Sequence, residues 1–167
     1  MAWERLYTNK LTGTGQSIDT GVAGITAKKH LRIEINVIQT GSSQNNIALR
    51  FNGDTGTNYP LRRSTNGAAD STFTTNYAFW YNGYGGSNTS RYAILDILNE
   101  SSSEKLIIHN QVIFDSTGAG TAPTRIETVS KWVNTSAQIT DVELNSGQFD
   151  AAGLFGIGTE MTIFGTD

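Results

Sequence analysis

The sequence predicts an all-β protein, an antiparallel β-sandwich, jelly-roll-like, of about nine or ten short strands. Three observations predict it. Apolar residues recur with a period of two, most cleanly in His30-Leu31-Arg32-Ile33-Glu34-Ile35-Asn36-Val37. Clusters of Gly, Asn, Ser and Thr interrupt these runs at the spacing of a sandwich or barrel. No segment carries an apolar stripe of helical period.

Trp3-Glu4-Arg5-Leu6-Tyr7-Thr8 alternates and opens the fold, and Leu11 to Gly15 is a turn. Ile18 sits in a short strand before Gly21 and Gly24. In the run from His30 to Val37, Leu31, Ile33, Ile35 and Val37 share one face; its β-branched content suits a strand. Gly41 to Asn46 closes it. Ile47, Leu49 and Phe51 then alternate until Asn52-Gly53-Asp54, where Gly takes the positive φ of a tight turn and Asn and Asp tolerate it. The chain resumes as Tyr59-Pro60-Leu61-Arg62-Arg63. This turn, with Asn52, Gly53, Asp54 and Asn58, is the pattern the chain repeats.

Ser64 to Ser71 is a polar loop, and Phe73 to Tyr84 is rich in aromatic residues. Arg91 to Asn99 is mostly apolar, as for a strand buried on both faces. Glu104 to Asp115 is a strand with Leu106, Ile108, Val112 and Phe114 on one side; Asn110 shares that side, which predicts a bulge or strand end there. Ser116 to Ala122 is a loop, and Pro123 opens the strand Thr124 to Val133. Gln138 to Leu144 and Glu160 to Phe164 are the last strands, with Asn145-Ser146-Gly147 a turn between them. Ala151 to Gly158 has room for one helical turn.

The chain of 167 residues fits a single domain, 1–167, large enough to build its own core. Charged residues make up only 16% and the net charge is −3, so no basic face invites nucleic acid. Arg50, Arg62 and Arg63 form at most a local basic spot, paired with carboxylates. There is no Cys, which excludes disulfides, thiolate metal sites and Cys nucleophiles. No apolar run approaches the ~20 residues that cross a bilayer. Met1-Ala2-Trp3-Glu4-Arg5 lacks an apolar leader, so export is not expected. Scarce charge with abundant Thr and Asn points to outer faces that meet neighbours.

Catalytic patterns are absent. His30 and His109 lie inside strands without a ligand-spaced partner and read as structural. There is no GxSxG elbow and no GxxxxGK[ST] loop. Pattern alone singles out no carboxylate pair among 15 acids for glycoside hydrolysis. Asn52, Asp54 and Asn58 offer oxygens of the kind calcium takes, but one carboxylate and no terminal Glu fit a plain turn better. No metal and no cofactor are expected. The triplets at Asn88, Asn99 and Asn134 match a glycosylation pattern that Asn- and Ser-rich chains produce by chance. The aromatic run Phe73, Tyr77, Phe79, Trp80, Tyr81, Tyr84 is the candidate binding surface. Flat rings set among Gly, Asn and Ser suit core packing, a subunit interface or a sugar platform.

Several phrases together carry a resemblance. They are Trp3-Glu4-Arg5-Leu6, Ala27-Lys28-Lys29-His30-Leu31, Arg50-Phe51-Asn52-Gly53-Asp54-Thr55-Gly56-Thr57-Asn58-Tyr59, and Arg62-Arg63 with Asn66-Gly67-Ala68. Gly120 to Arg125, Lys131 to Ala137, Phe149-Asp150-Ala151 and Gly158 to Gly165 complete the set. With them the chain resembles small β-sandwich proteins of tailed bacteriophages, virion structural proteins, over nearly its whole length. Ala152 to Ile157 stands as a local insertion against that pattern. The resemblance implies a jelly-roll-like sandwich on a virus particle and supplies no catalytic residue. Head or tail is left open by the resemblance; small size, a single domain and polar uncharged faces favour a non-enzymatic capsid decoration (cement) protein, made in the host cytoplasm. Such a protein binds the major capsid protein on the outside of the head as a homotrimer, with no nucleic-acid or membrane partner. The alternative is a tail or fibre module that recognises a host-surface glycan through the aromatic run.

Overall fold

The computed structural model describes residues 2–38, 47–81, 90–114, 118–146 and 155–167. Through them run β1 (Glu4–Lys10), β2 (Ser17–Asp19), β3 (His30–Ile38), β4 (Ile47–Phe51), β5 (Tyr59–Thr65) and β6 (Ser71–Thr75). They continue as β7 (Phe79–Tyr81), β8 (Ser90–Leu98), β9 (Lys105–Phe114), β10 (Thr124–Trp132), β11 (Val142–Ser146) and β12 (Glu160–Thr166). Among the described residues there is no helix. The all-β expectation holds.

Two antiparallel sheets form. One has eight strands in the order β1-β12-β3-β8-β9-β10-β5-β6; the other has four, β2-β11-β4-β7. Leu31, Ile33, Ile35 and Val37 of β3 point inward, as their period of two requires. They meet Ile47, Leu49 and Phe51 of β4, Val142 and Leu144 of β11, and Ile18 of β2 in one continuous core. Met161 and Ile163 of β12, Leu95 and Ile97 of β8, and Trp132 at the end of β10 close it.

The Asn52-Gly53 turn is the corner between the sheets. Asn52 and Gly53 both take positive φ, 50° and 65°, and the Asp54 amide donates to the Phe51 carbonyl at 3.0 Å. That geometry favours a hairpin. Here it carries the chain out of β4 in one sheet and into β5 in the other.

Several elements differ from expectation. The described residues form twelve strands, and the aromatic stretch divides into β6 and β7, which belong to different sheets. Residues 138–141 are not strand. Asn99 Oδ1 accepts from the Ile139 amide at 2.7 Å, and Asn52 Oδ1 accepts from the Thr140 and Asp141 amides at 2.9 and 3.0 Å. Side chains thus take the donors a ladder would use. Asn145 and Ser146 lie within β11 rather than in a turn, paired with Ala48 and Ile47 of β4. β8 is buried on one face only; Tyr92 on the other face is exposed. β9 has no bulge at Asn110: its register runs unbroken against both β8 and β10. The proposed helical turn falls largely on residues 151–154, outside the described residues. Phe155, which is described, instead bridges Gly15.

Candidate interaction surface

β9 decides where the surface lies. Its neighbours fix its register, and a strand presents alternate residues to opposite faces. Lys105, Ile107, His109, Gln111 and Ile113 therefore point inward, and Leu106, Ile108, Asn110, Val112 and Phe114 point outward. The outward residues are the more apolar set. Leu106 is 54% exposed, Ile108 58%, Val112 44% and Phe114 45%. Val129 of β10, opposite Ile108, is 52% exposed, and Tyr92 of β8, opposite Val112, is 43% exposed. Six large side chains on three adjacent strands make one stripe. They present on the order of 500 Å² of apolar surface, the upper range of what a monomer normally shows.

The stripe is flanked by ion pairs closed within the sheet. Arg32 on β3 holds Asp96 on β8 in a two-bond fork, Nε to Oδ1 at 2.7 Å and Nη2 to Oδ2 at 3.0 Å. Lys131 pairs with Glu104 at 2.6 Å, Arg62 with Asp70 at 3.3 Å and Arg125 with Glu127 at 3.7 Å. The Trp3 ring lies 5.5 Å from the Arg32 guanidinium. Two shallow grooves meet at Leu106 and Val129. One, of about 630 Å³, is lined by Trp3, Arg32, Leu98 and Ile108; the other, of about 520 Å³, by Pro60, Arg62, Thr72 and Lys131.

The inner face beneath the stripe is unusually polar. Arg91, His109, Gln111, Thr128 and Ser130 are buried there. Burial holds the His109 imidazole neutral, its pKa down to about 3. Ser130 Oγ donates to the Ala78 carbonyl at 3.3 Å. Lys105 is buried at the end of β9; its ammonium donates to the carbonyls of Ser103 and Asn134 at 2.6 and 2.9 Å and sits 5.9 Å from the Trp132 ring.

The organising turn is fully engaged within the chain. Asp54 accepts from the Gly56 amide at 2.8 Å, from Asn58 Nδ2 at 3.0 Å and from Trp132 Nε1 at 2.7 Å. Asn52 Nδ2 donates to the Gln138 carbonyl at 2.8 Å. The Asn52 and Asp54 oxygens that a calcium ion would take serve protein donors instead. Among the described residues no group of three or more His, Asp or Glu is placed to hold a metal ion.

The aromatic run is not gathered on one described surface. Phe73 lies half-buried on the edge strand β6, under the Arg63 guanidinium at 5.2 Å. Tyr77 is half-buried in the bend after it. Phe79, Trp80 and Tyr81 form β7, the edge of the other sheet, pairing with Leu49, Ala48 and Ile47. Tyr84 lies outside the described residues. Arg50, Arg62 and Arg63 also part company: Arg50 donates to the Asn76 carbonyl at 3.1 Å, and Arg62 pairs with Asp70 on the outer face. Asn99 is buried with its amide committed to the Lys28 and Ile139 carbonyls, which leaves it no room for a glycan.

The stripe itself escaped sequence reasoning. The alternation groups Leu106, Ile108, Val112 and Phe114, but an apolar set on one side of a strand reads as its buried side. The mixed opposite set, with Lys105, His109 and Gln111 among Ile107 and Ile113, carried no warning that it would be the inner one. No protein-family model and no curated protein matches the chain.

Proposed function

We propose that this protein is a non-enzymatic structural protein of a bacteriophage virion, a decoration (cement) protein on the outer surface of the head. The observation that carries the reading is the apolar stripe on a rigid, many-stranded sheet. A face of half-exposed Leu, Ile, Val and Phe bounded by neutralised charges is built to be covered. The sequence resemblance to phage virion proteins supports the same reading.

The strand order adds to it. With the β5–β6 and β9–β10 hairpins set aside, β1-β12-β3-β8 face β2-β11-β4-β7. We infer from this alternation an eight-stranded jelly roll whose larger sheet two hairpins extend, an architecture found in viral capsid and lectin domains. That support is analogy of fold, not of site. Binding would act by mass action. Surface buried only on the assembled shell stabilises the shell over its separated parts. The major capsid protein is the partner in this reading, and further copies of the chain, expected as a trimer, share the shell.

The alternative, a tail or fibre module for a host-surface glycan, draws on β7, where three consecutive aromatic residues form the edge of the smaller sheet. Copy number per purified virion, measured by quantitative mass spectrometry against the major capsid protein, separates the two. A number comparable to the capsid protein is expected. A number at the level of tail components overturns the cement reading, and absence from the particle overturns both.

A further inference from the structure

We propose that two copies of this chain pack outer face against outer face, β9 against β9 running antiparallel, about a two-fold axis at Asn110. The outward side of β9 is self-complementary. Read in either direction from Asn110 it carries a β-branched aliphatic residue and then a second apolar one: Ile108 and Leu106 on one side, Val112 and Phe114 on the other. A two-fold axis at Asn110 sets Ile108 of one copy against Val112 of the second, and Leu106 against Phe114. The two Asn110 amides meet at the axis, where each carries both a donor and an acceptor and so satisfies its twin. A polar residue at the centre of an apolar contact also fixes register, because any slip strands it against hydrocarbon.

The area is sufficient. Ten residues of β9 span about 33 Å, and five strands from β3 to β5 span about 24 Å. The face therefore offers about 800 Å² per copy, the size of a standard specific interface. Most of the charge on the face is already paired. Arg32–Asp96, Lys131–Glu104 and Arg62–Asp70 are closed within one copy, and Glu127, on the Asn110 row, is paired with Arg125. Glu34 of β3, at the margin of the face on the same row, is the outward carboxylate outside these pairs. A face with so little unpaired charge asks for no strongly charged partner. It suits a copy of itself.

This pairing goes beyond the virion reading and gives the stripe a different occupant: where it holds, the stripe is closed between copies, the head is met through another face, and an even-numbered assembly replaces the trimer expected in that reading. Sedimentation velocity on the purified full chain should show an even number of copies. Ile108→Asp combined with Val112→Asp should give monomers with an unchanged circular dichroism spectrum, because both side chains are already exposed and neither is needed to fold. Position-specific cross-linking tests the axis. The chain has no cysteine, so Asn110→Cys introduces the only thiol. Stacked sheets lie about 10 Å apart, beyond the ~7 Å that a disulfide spans between Cα atoms, so a short bis-maleimide is the probe. Asn110→Cys should cross-link at least about tenfold faster than Ser17→Cys, an exposed position on β2 of the other sheet. A wild-type monomer, an odd-numbered oligomer, or equal cross-linking at the two positions overturns the pairing.

Discussion

The indole Nε1 of Trp132 donates to Asp54 Oδ2 at 2.7 Å, and this bond ties the end of β10 to the corner where the chain changes sheets. Around it Tyr59 stacks on Trp132 with centroids 6.4 Å apart and planes at 11°, and Phe51 packs against both. A single carboxylate thus holds the corner, the strand end and the aromatic core in one network. Asp54→Ala leaves the indole N–H and the Asn58 amide without their acceptor. The expected loss is about 2–3 kcal/mol, since each orphaned donor costs its desolvation. Urea denaturation measures it. A loss no larger than that of an ordinary surface substitution would show that the network is incidental.

Asp54 also predicts a pH dependence. Burial pushes its carboxyl up, but donation from Trp132, Asn58 and Gly56 outweighs burial and holds its pKa below the ordinary range. A depressed carboxyl contributes stability that is present above the unfolded-state pKa and is lost as pH falls through the folded one. His109 acts in a higher window. Its folded pKa of about 3 lies below the unfolded value, so the unfolded chain binds the extra proton. Stability should fall as pH drops from about 6.5 toward 3, by up to about 1.4 kcal/mol per pH unit. His109→Gln should flatten the upper part of the acid unfolding curve and leave the lower part, where Asp54 titrates, in place.

Asp141 and Glu143 predict the opposite sign. Burial and the Asp19 charge raise the pKa of both Asp141 and Glu143. A raised carboxyl contributes stability below its unfolded pKa that disappears as pH rises through the folded value. Glu143→Gln should therefore raise the melting temperature at neutral pH, by on the order of 2 °C. The gain should close as pH approaches 4, within the ordinary carboxyl range. A gain that persists unchanged in acid would point to a cause other than charge.

Asn99 is predicted to be the least replaceable polar side chain among the described residues. Its amide donates to the Lys28 and Ile139 carbonyls, and its Oδ1 accepts from the Ile139 amide, all in a fully buried site. Asn99→Ala should cost about 3 kcal/mol or more, because it orphans backbone groups that water cannot reach. Thermal melts with hydrogen exchange at Ile139 test it; protection there should fall before global unfolding.

Gly24 tests the loop that leads into β3. A Cβ added there would stand 1.9 Å from the Thr20 carbonyl oxygen, and backbone cannot yield as a side chain can. Gly24→Ala should therefore destabilise by about 2 kcal/mol or more, whereas Gly13→Ala, with nothing within 4 Å, should be nearly neutral. Equal melting temperatures for the two variants would show that the loop rearranges.

Much of the architecture is legible along the chain because it is local. Leu31, Ile33, Ile35 and Val37 announce an inward face through alternation, and Asn52-Gly53 announces positive φ because few other residues accept it. The candidate surface is not local. Whether Ile108 or His109 faces the core is a question about β8 and β10, which set the register of β9, and about how far the smaller sheet reaches over the larger. Asn99 and Asn52 likewise look like loop residues until the amides of residues 139–141 are found within reach of their side chains.

By itself the sequence determined an all-β chain without disulfides, the main strands and the conformation of its tightest turn, since each follows from side-chain period or backbone sterics within a few residues. The tertiary structure alone decided that this turn crosses between sheets, that the aromatic run divides at Asn76 to Ala78, and that the apolar side of β9 lies outward. Those outcomes depend on pairings between residues distant in the chain, where hydrogen bonding to two neighbours outweighs the preference of one strand for burying its more apolar side.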